Sequence, residues 1–180
     1  MRYSRLVLSL FFVLALAAAF AAQDDKPKRA PSTPQERQRF ISLTRKLEQS
    51  PLDKSLYEEK TWAKQWLEDV PDINVTICAP LLFGAEYVAE QNKYMPQLSY
   101  QATFGSAAYI IEHPDKKGDT DAQYVAGVES ALKAYSAILK TDPQADSKAM
   151  DQLLDKQKQG KLANFVRDNS KGCEDTKQGM

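Results

Sequence analysis

One stretch constrains this chain more than any other: Tyr124 to Leu139, YVAGVESALKAYSAIL. Its apolar residues fall at Tyr124/Val125, Val128, Ala131/Leu132, Tyr135 and Ile138/Leu139. Steps of three and four draw one stripe along a helix. Gly127, Ala131 and Ala134 lie within it and are small enough for a second helix backbone to come close. The upstream run Gly105-Ser106-Ala107-Ala108 is the expected partner. The core is therefore expected between two helices, Gln97 to His113 and Asp121 to Leu139.

The remaining segments read mostly as helices. Thr33, Pro34 and Glu36 form a capping box with proline at the first helical position, and Phe40, Leu43 and Leu47 give that helix its apolar stripe. Ser50-Pro51, with Asp53 three residues on, repeats the signal for a helix from Leu52 to Glu68. A third helix is expected from Pro80 to about Lys93. Pro96 opens the fourth, with Tyr100, Phe104, Ala107, Ala108 and Ile111 inward, and His113-Pro114 stops it. Asp119 or Thr120 caps the central helix, and Asp142-Pro143 opens a short one containing Met150, Leu153 and Leu154. A last helix holds Leu162, Phe165 and Val166. Between helices, Ile73, Val75 and Ile77 alternate with polar residues, but a lone strand has no partner for its backbone. An extended segment near 72–79, laid across helices, is the expected form. The fold class is thus all-α, a compact bundle of six or seven short helices.

The N-terminus reads as a targeting segment. Arg2 and Arg5 precede the apolar run Leu6 to Ala18, and Ala19-Phe20-Ala21 supplies a cleavage site, so residues 1–21 are expected to be a signal peptide. The alternative is an uncleaved anchor, although the run is short for a bilayer span. Residues 22–33 (AQDDKPKRAPST) are charged and proline-rich and read as a disordered leader. Residues 34–168 then form a single helical domain, followed by a polar tail at 169–180. Removing the signal leaves 159 of the 180 residues, with 22 Lys and Arg against 24 Asp and Glu. That balance argues against nucleic acid, whose binders cluster basic charge on one face. Lys156, Lys158 and Lys161 come nearest to such a patch, diluted by Asp151 and Asp155.

Two cysteines, Cys78 and Cys173, are present. In an exported chain an even count favours a disulfide, which would tie the polar tail back to the middle of the domain. A secreted or periplasmic location follows from the signal and this pairing together, with no stable membrane span after cleavage. Asn74-Val75-Thr76 is a glycosylation sequon that matters only in a eukaryotic secretory pathway, and the Ala-rich signal looks bacterial.

Chemistry is sparse. His113 is the single histidine. Ser106 precedes it by seven residues, about 10.5 Å along a helix axis against the roughly 3 Å that a nucleophile and base need. Glu112 and His113 remain the residues an enzyme of unrecognised type would use, although a histidine at a helix C-terminus is favoured by the dipole alone. Glu86 and Glu90 share a helix face, but the Glu-x-x-His pairs of a di-metal site are missing. No metal or cofactor is expected. Trp62 and Trp66, one turn apart, are either core anchors or a binding surface, and a pocket between helices beside them would suit a small apolar ligand.

Two short stretches resemble known families. Ala131, Tyr135 and Pro143, within ALKAYSAILKTDP, are spaced like the second helix of a tetratricopeptide repeat, although no second copy follows at a 34-residue period. The stretch from Ala108–Pro114 (AYIIEHP) to Val128–Leu132 (VESAL) resembles the secreted type VI amidase immunity proteins, whose characteristic flanking cysteines are missing here. The function expected from the residues themselves is a non-catalytic binding or protein-interaction module of the cell envelope. Helical faces with aromatic residues, including Tyr87, Tyr94, Tyr100 and Tyr109, are its basis. An unknown envelope protein or small ligand would be its partner.

Overall fold

The structure, a computed structural model, describes residues 29–76, 78–83 and 92–173. The expected signal peptide, the leader up to residue 28, Glu86, Tyr87, Glu90 and the tail beyond Cys173 lie outside the described residues. The chain divides into the units Met1–Ala30 and Pro31–Met180, and every element below belongs to the second.

Seven α-helices make up the described fold, with no strand among the described residues. They are α1 Pro34–Gln49, α2 Tyr57–Asp69, α3 Ala79–Phe83, α4 Met95–Glu112, α5 Thr120–Thr141, α6 Lys148–Lys158 and α7 Leu162–Ser170. Short 3-10 turns precede α2 and follow α4 and α7.

The start of α1 is built as the sequence directs. Thr33 Oγ1 accepts from the Glu36 N–H while the Glu36 carboxylate accepts from the Thr33 N–H, a reciprocal cap. The second helix starts later than expected. Ser50 closes α1 by donating its N–H to the Lys46 carbonyl, and its own carbonyl accepts from the Asp53 N–H in the turn that follows. Asp53 takes over, accepting from the Ser55 N–H ahead of a 3-10 turn, and α2 begins at Tyr57. Asp142 shows the same shift. It ends α5 and holds a turn through the Gln144 N–H, whereas Ser147 caps α6 through the Met150 N–H. Lys93 sits in a turn, not at the end of a helix.

Two observations concern the bounds expected for the domain. Of the leader only residues 29–33 are described, and there Ser32 is buried and donates both its N–H and its hydroxyl to Asp72. That partner lies 40 residues away, beyond the reach of local composition. At the other end α7 runs to Ser170, where the hydroxyl donates to Asp121, so the expected tail begins as helix.

Helices α4 and α5 form the most extensive pair in the fold. A Cβ on Gly127 would lie 2.4 Å from Ser106 Oγ and 2.8 Å from the Ala102 carbonyl oxygen. One on Gly105 would lie 2.3 Å from the Ser130 Cβ. Only hydrogen at these two positions lets the helices meet. On one side of α4 lies a core of Leu98, Val128, Leu132, Tyr135, Met150 and Val166. Cys78 and Cys173, disulfide-bonded with Cα atoms 5.6 Å apart, join it. On the other side Phe40, Leu43, Leu47, Trp66, Phe104 and Ile110 form a second, aromatic core against α1 and α2. Phe40 packs face-tilted on Trp66 at 4.9 Å and edge-on to Phe104 at 5.2 Å. Because α4 is covered on two sides, its apolar stripe is too broad for a single face. Ile110 is buried and Tyr100, expected inward, is 47% exposed.

The segment after α2 is extended, as its alternation suggests. Ile73 is buried in the aromatic core, with Val75 partly buried against it, while Asn74 is exposed. Asp72 anchors the front of this segment and the Cys78–Cys173 bond anchors its end.

Candidate functional site

The largest of the hollows among the described residues is a cleft of about 590 Å³ at the C-terminal end of α4, walled by α1, α5 and α7. It contains Glu112 and His113, and its other polar residues include Arg45, Glu129, Lys133 and Arg167. Its charges are largely engaged with one another. Glu48, 6% exposed, accepts from Arg45 at 2.7 Å and from the Ser130 hydroxyl at 2.8 Å, with Lys133 at 3.3 Å from its second oxygen. Gln101 extends this chain inward, donating to Ser130 Oγ and to the Thr44 carbonyl. Arg45 reaches outward to Glu112 at 2.8 Å. Burial pulls the Arg45 guanidinium down, but the hydrogen bonds and charges of Glu48 and Glu112 outweigh it and hold it above its ordinary value. Arg167 lies beside Asp121, 3.9 Å away.

His113 caps the C-terminus of α4, its N–H bonded to the Tyr109 carbonyl and its ring 4.6 Å from the Tyr109 ring. Its side chain makes no hydrogen bond among the described residues. Ser106 is buried and donates to the Gln123 carbonyl, which removes it from any nucleophilic role beside His113. The cleft therefore brings Glu112, held by Arg45, beside a His113 ring that no third group orients among the described residues.

The tryptophans separate. Trp66 is 3% exposed and belongs to the aromatic core. Trp62 stacks on it at 5.8 Å, and the Arg39 guanidinium covers the Trp62 ring at 3.7 Å while binding both oxygens of Glu59. Neither tryptophan lines a described hollow.

A second feature lies on the adjoining face of α2. Two hollows of about 260 and 370 Å³ meet at Lys64, Tyr100 and Phe104. The first reaches Tyr57 and Pro96, and the second reaches Leu67, Ile73 and Val75. Together they make one groove between α2, α4 and the extended segment. Among the described residues the exposed large apolar side chains are Tyr57, at 69%, and Tyr100, and both line it. The Lys64 ammonium stands 3.4 Å from the centroid of the Tyr100 ring. Lys60 lies one turn earlier on the same wall.

Tyr100 is expected from the sequence both on the inward stripe of its helix and among the aromatic faces that would bind, whereas Tyr57, Lys60 and Lys64 are passed over. The available signal was their spacing: Tyr57, Thr61 and Lys64 stand at i, i+4 and i+7 on the face of α2 opposite to its buried stripe. No protein-family model, curated protein or solved structure matches the chain.

Proposed function

We propose that the protein is a non-catalytic binding module of the cell envelope, exported by residues 1–21 and engaging a protein partner through the groove between α2 and α4. One observation carries this reading: the two exposed large aromatic side chains of the described residues converge on a single groove. Isolated exposed apolar groups are ordinary, whereas a contiguous exposed apolar patch marks an interaction surface. Tyrosine suits such a surface because it contributes large area at little conformational cost. The disulfide favours an oxidising compartment. No described helix is long and apolar enough to cross a membrane.

The catalytic alternative, through Glu112 and His113, draws on the size of the cleft, which falls within the range of small-molecule sites. Against it, Glu112 is held by Arg45 and the His113 ring has no orienting carboxylate among the described residues. An apolar-ligand carrier would use the same groove as the protein-binding reading, so the two are separated by the mass of what is bound.

The test is photo-crosslinking in the native host. A photoreactive phenylalanine placed at Tyr100 is expected to give one discrete protein adduct in the envelope fraction, lost when Tyr57→Ala is added. The same probe at Lys158, exposed on α6, is expected to give none. Identical adducts from both positions, or none from Tyr100, would overturn the reading. Intact mass of the recovered chain reports whether residues 1–21 are removed.

A further inference from the structure

We infer that the occupant of the α2–α4 groove is an extended polypeptide segment, apolar at alternate positions and carrying a carboxylate, which lies alongside Ile73–Thr76. The inference rests on the groove being the binding site, and it adds the conformation and the charge of the partner.

Conformation follows from the groove's wall. Ile73–Thr76 is extended, and its main-chain groups make no hydrogen bond among the described residues. Such a segment would ordinarily move, but this one is held at both ends. Asp72, in front of it, accepts from the Ser32 N–H and hydroxyl and from Arg37 at 2.7–2.8 Å. Cys78, behind it, is bonded to Cys173. The buried Ile73 and half-buried Val75 turn one side of the segment into the aromatic core. An open main-chain edge, fixed in place beside an apolar hollow, has the two elements of strand addition. Backbone pairing supplies affinity, and hollows for alternate side chains supply selectivity. Pre-organisation lowers the ordering cost that a mobile edge would incur.

Charge follows from the opposite wall. Lys60 and Lys64 hold no carboxylate in an ion pair among the described residues, unlike Arg37, Arg39 and Arg45 of α1, and they outnumber Glu68, the one carboxylate that lines the two hollows. A partner with a carboxylate level with this pair gains attraction, and a lysine there is repelled. Length agrees as well. The α2 wall from Tyr57 to Leu67 spans ten helical steps, about 15 Å, the reach of four or five extended residues.

The full chain is titrated by fluorescence anisotropy against two labelled libraries of nine-residue peptides with identical composition. One library alternates apolar residues with acidic and neutral ones, and the other places the same residues at helical spacing. Alternating peptides are expected to bind. Methylating every second amide nitrogen should weaken them by about tenfold or more, and Lys64→Glu should weaken acidic members about tenfold while favouring lysine-bearing ones. Equal binding after amide methylation, or preference for the helical-spacing library with loss in Tyr100→Ala, would overturn the inference and leave the groove as the site. Binding by neither library, or Tyr100-dependent dimers in sedimentation in place of peptide binding, would overturn the inference. Failure of the photo-crosslink at Tyr100 as well would remove the groove reading with it.

Discussion

The two sides of α4 are built differently. Toward α5 it presents Ala102, Gly105 and Ser106, and the helices meet so closely that side chains at Gly105 and Gly127 are excluded. The core on that side is tied by a disulfide that closes a loop of 95 residues. Toward α1 and α2 it presents Phe104, Ala107 and Ile110 to large rings, and the seam is left open as a groove with Tyr57 and Tyr100 on its lips. Small side chains allow close backbone contact, and the cleft on that side opens at the C-terminal end of α4 among charged residues. Large aromatic ones hold helices apart and leave hollows between them. The close helix contact and the disulfide lie on one face of the helix, and the two exposed tyrosines on the other.

The sharpest way to break this division is to open the disulfide. Cys78→Ser with Cys173→Ser is expected to lower unfolding free energy by about 4–5 kcal/mol in the chain-entropy model, measured by urea denaturation. Native-state tryptophan emission is expected to be unchanged below the transition, because Trp66 of α2 belongs to the other core. Gly127→Ala comes next. The carbonyl of Ala102 cannot rotate away as a side chain could, so the helices must separate, at a cost of about 2–3 kcal/mol read from the same denaturation curves.

Glu48→Ala removes the acceptor shared by Arg45, Ser130 and Lys133. It is expected to cost about 2 kcal/mol, with no loss at the groove. Tyr57→Ala with Tyr100→Ala reverses that pattern: stability within about 1 kcal/mol of the parent chain, but loss of the crosslink and peptide binding. A fall in stability as large as that of Gly127→Ala would show that these rings are structural.

The smallest effect is electrostatic. Burial alone would raise the Asp72 carboxyl, but hydrogen bonds from the Ser32 N–H and hydroxyl and from Arg37 hold it below its ordinary value. A depressed folded-state value means that the bonds contribute fully above the ordinary carboxylate range, and that the contribution is lost as pH falls through the folded-state value. Thermal midpoints measured from pH 6 to pH 2.5 should therefore fall more steeply in the parent than in Asp72→Asn. The difference corresponds to about 1 kcal/mol at neutral pH.

What the residues alone determined is what repeats locally or follows from composition. The stripe at Tyr124–Leu139, the capping box at Thr33 and Glu36, the small-residue seam and the cysteine pairing each depend on neighbours within a turn or on simple counting. The rest needed partners distant in the chain. Ser32 is ordered by Asp72, Glu48 is buried because Ser130 and Lys133 reach it from α5, and Asp142 ends one helix where its sequence resembles the start of another. Tyr100 is the clearest instance. Its position on α4 suits burial, yet it is left half-exposed on the groove beside Lys64 of α2. Periodicity specifies which residues share a helix face. Which faces are covered is decided by the neighbouring helices, and therefore only by the tertiary structure.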